Sequence, residues 1–188
     1  MLKERTADSH ECVEARLDLT DPALDLARLR DIVTGLHGFW AGTEPVLDEW
    51  AAARPALADA LRWPRRRRTA RLARDVALLA GRLGPPAPPV TGRAGTADVF
   101  GWLYVAEGST LGGAIITRAL ARLRPGLRLE CFTPYDEGPG PMWKAFQTQL
   151  ERWTAGDEQR VEQVAAAAVA TFAALVEWTA PLTREAVA

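Results

Sequence analysis

Apolar residues recur at spacings of three and four along nearly the whole chain, and strand-like alternation hardly appears, which restricts the fold to an all-α class. One stripe runs through Leu26, Leu29, Val33, Leu36 and Trp40, opened by Thr20 or Asp21 as N-cap with Pro22 in the first turn. Gly42 and Pro45 predict a kink or break before a helical stretch over 46–53, and a short helical piece follows over 55–61. Leu72, Val76, Leu79 and Leu83 mark the buried face of another helix. Residues 84–95, with Pro85, Pro86, Pro88 and Pro89, predict an extended connector. A second breaker-rich stretch over 125–141 precedes a helix over 143–153, and Gly156 with Asp157 divides that from a last helix running to about Trp178. The expected architecture is a compact irregular bundle of six to eight helices, able to hold a cofactor between them.

With 188 residues, 48% of them hydrophobic and 25% charged, the chain suffices for one core, so residues 1–188 read as a single domain. A formal net charge of −1 gives no global pull toward nucleic acid or an anionic membrane. Cys12 and Cys131 form neither a paired motif nor a disulfide scaffold, which points to a reduced, cytoplasmic setting. No signal peptide is expected, and the apolar tract over 164–176 is shorter than a membrane span.

Against this background the run Glu107-Gly108-Ser109-Thr110-Leu111-Gly112-Gly113 stands out, because it interrupts an apolar, helix-forming segment over 97–123. Each interior glycine costs about 1 kcal/mol relative to alanine. Something must therefore approach the backbone there, either a flat ligand or a neighbouring helix. Near the start of the chain, His10 lies four residues ahead of Glu14, the spacing of a metal-binding imidazole and the carboxylate that orients it. The chain has 21 arginines and only two lysines, Lys3 and Lys144. Lys3 lies two turns before His10, and both lysines are candidate cations for ligand carboxylates.

These residues resemble the biliverdin-producing heme oxygenases, most closely the bacterial type and its phytochrome-associated members. The segment from Leu2 to Glu11 is similar to that family's proximal helix, and the segment from Gly101 to Gly113 to its kinked distal helix; a weaker likeness extends to Trp143-Lys144-Ala145-Phe146 and Phe172. The resemblance implies a heme oxygenase-like bundle with heme b between the two helices. His10 would then be the iron ligand, Glu14 its support, and Lys3 and Lys144 the propionate partners. Tyr104, Gly108, Gly112 and Gly113 would line the heme, with Gly108, Ser109 and Gly112 on the catalytic side. Heme would be cofactor and substrate at once, opened with O2 and external electrons to biliverdin, ferrous iron and carbon monoxide. The implied partners are a ferredoxin or flavin reductase and a bilin-accepting photoreceptor. The chain departs from animal members where Ser109 replaces an aspartate that organises water, and where Thr148 replaces a second basic contact.

Other features have plainer readings. His37 sits beside an apolar stripe and reads as structural, and the seven tryptophans read as core. The arginines at 65, 66, 67, 68, 71 and 74 read as a solvated face ahead of a reductant-docking or nucleic-acid patch. A heme carrier or sensor on the same fold, and a heme-free interaction protein, are the rival functions. Two histidines are too few for a carboxylate-bridged di-iron bundle.

Overall fold

The structure is a computed structural model that describes residues 2–182. Among them the regular structure is helical: α1 Leu2–Arg5, α2 Ala7–Leu17, α3 Leu26–Ala53, α4 Pro55–Ala60, α5 Trp63–Arg66, α6 Thr69–Leu78, α7 Thr96–Leu111, α8 Gly113–Leu120, α9 Gly140–Thr154, α10 Glu158–Trp178 and a closing 3-10 turn, Ala180–Leu182. The number exceeds six to eight because breaks at Thr6 and Gly112 each divide one segment into two helices, and because the four-residue α5 is too brief to leave a periodic signature.

Three expectations are corrected in detail. The α3 cap is Asp25, whose side chain accepts from Arg28 N, whereas Asp21 folds into a local turn by accepting from Ala23 N at 2.7 Å. The helix then runs unbroken through Gly42 and Pro45, with Pro45 on its exposed side. Glycine is needed at 42 for packing: a Cβ there would lie 1.9 Å from the Ala87 carbonyl oxygen. One turn earlier, a Cβ at Gly38 would lie 2.9 Å from Pro85 O, and Ala87 N donates to Gly38 O at 2.9 Å. The proline-rich connector is thus strapped flat across α3. Finally, α6 ends at Leu78, so Leu83 falls in the connector, 55% exposed, and leaves the buried face to Leu72, Val76 and Leu79.

The core has two large parts. One joins Leu29, Ile32 and Val33 of α3 with Leu72 and Val76 of α6 and with Leu127, Leu129 and Phe132 of the loop after α8. The other joins Leu47 and Trp50 at the far end of α3 to Leu61, Trp63, Phe100, Trp102, Leu103 and Phe146. All seven tryptophans are buried or half-buried. The most extensive helix pair is α7 with α10, made close by Gly101, where a Cβ would stand 2.6 Å from Ala167 Cβ. By length and apolarity α10 has the dimensions of a membrane span, being longer than its alanine-rich tract, but it presents buried Val164, Ala168, Phe172 and Leu175 to its neighbours.

Candidate functional site

The segment from Leu2 to Glu11, similar to the proximal helix, is divided at Thr6 between α1 and α2. Thr6 is buried, donates to the Leu2 carbonyl at 2.9 Å, and lies 3.2 Å from the Tyr104 hydroxyl of α7. Trp143 of α9 packs on the same tyrosine, with ring centroids 6.1 Å apart. Tyr104 therefore ties α1, α7 and α9 together, and Lys3 and Lys144, both exposed, are near neighbours in sequence of this corner.

One turn beyond Thr6 stands His10, and one turn beyond His10 stands Glu14. Nδ1 of His10 lies 3.4 Å from Glu14 Oε2, which leaves Nε2 as the ring nitrogen for a metal. The imidazole meets Phe172 of α10 edge-on at 5.9 Å, and Val13, one turn on, packs with Tyr104 against Val105, Ala168 and Phe172. Although α2 packs against α10 beside it, the His10 side chain is 49% exposed. The imidazole is thus held at its Phe172 edge and open to solvent elsewhere.

On α7 the position one turn beyond Tyr104 is Gly108. A Cβ there would meet nothing within 4 Å, and at Gly112 the nearest atom would be Ser109 O at 3.9 Å. These two glycines leave bare backbone toward open space. Gly113 differs, since its Cβ would lie 1.9 Å from the Phe132 carbonyl oxygen, so the chain's own loop accounts for that glycine. The break at Gly112 turns α8 by 49° from α7. Hydroxyls assist the bend, as Ser109 Oγ donates to Ala106 O at 2.8 Å and Thr110 Oγ1 to Glu107 O at 2.7 Å, a back-bonding that distorts helices. Leu111 and Ile115 beside these glycines are exposed apolar side chains.

Beneath the bend lies a cluster that sequence reasoning missed. The arginine run is not one solvated face: Arg65, Arg67 and Arg74 are exposed and pair with Glu137, Asp48 and Glu130, but Arg66 and Arg68 point inward. The cause is the extended backbone at Arg67 between α5 and α6, which sends alternate side chains to opposite sides. Arg66 Nη1 lies 3.0 Å from Glu107 Oε2 with both side chains fully buried, and its Nη2 donates to Met142 O at 2.9 Å. The Tyr135 hydroxyl donates to Glu107 Oε1 at 2.8 Å; burial first, then the charge of Glu107, holds its pKa far above the usual phenol value. Arg68 donates to Ala106 O and, at 3.3 Å, to Ser109 Oγ. Glu44 of α3 accepts from the backbone N–H groups of Arg68 and Thr69. The legible signal was the pair Glu44 and Glu107, two carboxylates in apolar helical runs that must find cations. Nearby, His37 is buried as expected, and burial lowers its pKa against the raising effect of Glu44.

Among the described residues no group of three or more His, Cys, Asp or Glu side chains could hold a bare metal ion. A lone imidazole binds iron only when a chelate supplies the remaining ligands, and a planar porphyrin does so. The donor set and the uncovered glycines fit that group. The described fold is a helical bundle that carries one open imidazole on α2 and a side-chain-free bend between α7 and α8. The profile of the family described as Heme oxygenase matches residues 90–180, which contain the bend but not His10. A protein named Heme oxygenase from Xanthomonas campestris pv. campestris (strain 8004) is 34% identical over 133 residues, covering 70% of this chain and 76% of that protein. The chain belongs to the heme oxygenase family.

Proposed function

We propose that this chain, acting as a single domain, binds heme between α2 and the bend from α7 to α8 and opens the ring to biliverdin, releasing ferrous iron and carbon monoxide. The observation that carries this reading is the sorting of the distal glycines. Gly101 and Gly113 are packed against the chain itself, whereas Gly108 and Gly112 leave open backbone on the helix whose Tyr104 meets Thr6 at the start of α2. Bound heme supplies the iron at which O2 is activated.

The chain's own residues do the rest. His10 holds the metal through Nε2 while Glu14 fixes the ring at Nδ1. Lys3 and Lys144 supply cations for the propionates. Tyr104 braces the corner between them, and Leu111 and Ile115 give the cleft an apolar wall that excludes water. The bare backbone at Gly108 and Gly112 lets the porphyrin edge lie close, and Ser109 contacts ordered water. Electrons come from a ferredoxin or flavin reductase in the cytoplasm, and a bilin-binding photoreceptor is a candidate recipient of product.

Hemin titration of the wild type and of His10→Ala, followed by product analysis after turnover with an electron source, tests this. The expected outcome is a Soret band whose position depends on His10, and bilin plus carbon monoxide as products. A spectrum unchanged in His10→Ala removes the ligand assignment, and stable bound heme with no bilin removes the activity.

A further inference from the structure

We propose that Arg68 is a positioning residue for the distal face, holding the Ser109 hydroxyl and the bend at Gly112 in place and keeping a buried positive charge beside the cleft. The inference rests on the heme reading given above. It follows from how many independent contacts converge on one side chain.

Arg68 is only 4% exposed, although arginine is rarely buried without cause. Its backbone N–H is held by Glu44, its guanidinium lies over the Trp40 indole at 5.7 Å from the ring centre, and two of its nitrogens reach the bend, at Ala106 O and Ser109 Oγ. A rigid planar fork meets both acceptors at once, which a lysine ammonium does not reproduce. The charged and titratable groups around it come from several elements: Glu44 from α3, Arg66 from α5, Arg71 and the buried Asp75 from α6, Glu107 from α7, and Cys131 and Tyr135 from the loop after α8. Glu107 is paired with Arg66, whereas the Arg68 guanidinium meets the neutral acceptors Ala106 O and Ser109 Oγ.

The hydroxyl of Ser109 has a single hydrogen, committed to Ala106 O, and receives one from Arg68. Toward the open side Ser109 therefore offers a lone pair, and the donating capacity of this face resides in the arginine. The Nε–H of Arg68 is buried with no acceptor among the protein atoms, a donor in reserve for an ordered water. A side chain reaching over from the junction of α5 and α6 thus brings a positive charge to the uncharged Ser109.

The test uses the full chain loaded with ferric hemin and reads the pH midpoint between the acid and alkaline forms of its visible spectrum, together with hemin affinity. A nearby cation favours the alkaline, hydroxide form, so Arg68→Met is expected to raise the midpoint by about one unit or more while affinity changes by less than about threefold. Arg68→Lys is expected to recover part of that shift because the charge stays and the fork is lost. An Arg68→Met midpoint within about 0.2 unit of the wild type overturns the inference. Where Arg68→Met does not fold, Arg68→Gln carries the test, since it removes the charge and keeps a hydrogen-bond donor; a rise in the same direction supports the proposal and no rise overturns it. A wild type that binds no hemin at all overturns the heme reading itself, and this inference with it.

Discussion

The two helices that face the cleft are held in opposite ways. Helix α2 has no buried residue; its contacts include the half-buried Val13 and Leu17, the edge of Phe172 and a bond from Arg28 to the Arg16 carbonyl. Helix α7 is buried at nine positions, locked to α10 through Gly101, and undergirded at its bend by Arg66, Arg68 and Glu107. Burial sets local stability, so α7 is the more firmly held and α2 the less stable of the two. A ligand joining the two stabilises α2 the more.

The largest test of this contrast breaks the distal support. Replacing Arg66 by Met leaves Glu107 buried with only Tyr135 for company, and such an uncompensated charge costs about 3–5 kcal/mol, to be read by urea unfolding. Lost stability much smaller than this would mean that the bend is held by packing alone. The second strikes the proximal side: His10→Ala is expected to lower turnover by at least about 100-fold, since even the partners that orient a metal ligand contribute 10–100-fold. Its unfolding free energy without heme should stay within about 0.5 kcal/mol of the wild type, because the ring is half exposed.

A third experiment sharpens the comparison within α7 by making one substitution twice. Gly101→Ala forces a Cβ into the α10 backbone and should destabilise by about 1–3 kcal/mol. Gly108→Ala meets no atom and should stabilise the heme-free protein by up to about 1 kcal/mol through helix propensity, while weakening hemin binding. Equal effects at the two positions would erase the distinction between packing and cleft glycines. The smallest effect concerns pH. Burial depresses the His37 pKa below its unfolded value near 6.5, so its contribution is fully present above that pH and is lost as pH falls through the folded value. His37→Gln should therefore lose less stability than the wild type between pH 7 and pH 5, measured by thermal unfolding.

Much of this was legible in the sequence because periodicity and breakers act locally. The stripe from Leu29 to Trp40, the proline connector and the last helix lie where the spacing put them. The glycines at 108 and 112 announced bare backbone, and the pair His10 and Glu14 announced its own geometry. What stayed hidden needed tertiary information. Gly42 reads as a breaker until Ala87 is seen lying on it, and Gly113 reads like Gly108 until Phe132 is seen beneath it. The inward turn of Arg66 and Arg68 depends on one extended residue, Arg67, between two short helices, and no periodic pattern covers so few residues.

Surface connections rich in proline are ordinarily where a chain accepts insertions. Here the strap over α3 divides into two unlike halves. Around Ala87 it is pinned by a hydrogen bond and by two glycines that no larger residue can replace, whereas at Gly92 the backbone has open surroundings. A reporter peptide or affinity tag spliced at residue 92 should leave the scaffold intact, and the same graft at residue 87 should pry the connector off the helix it crosses.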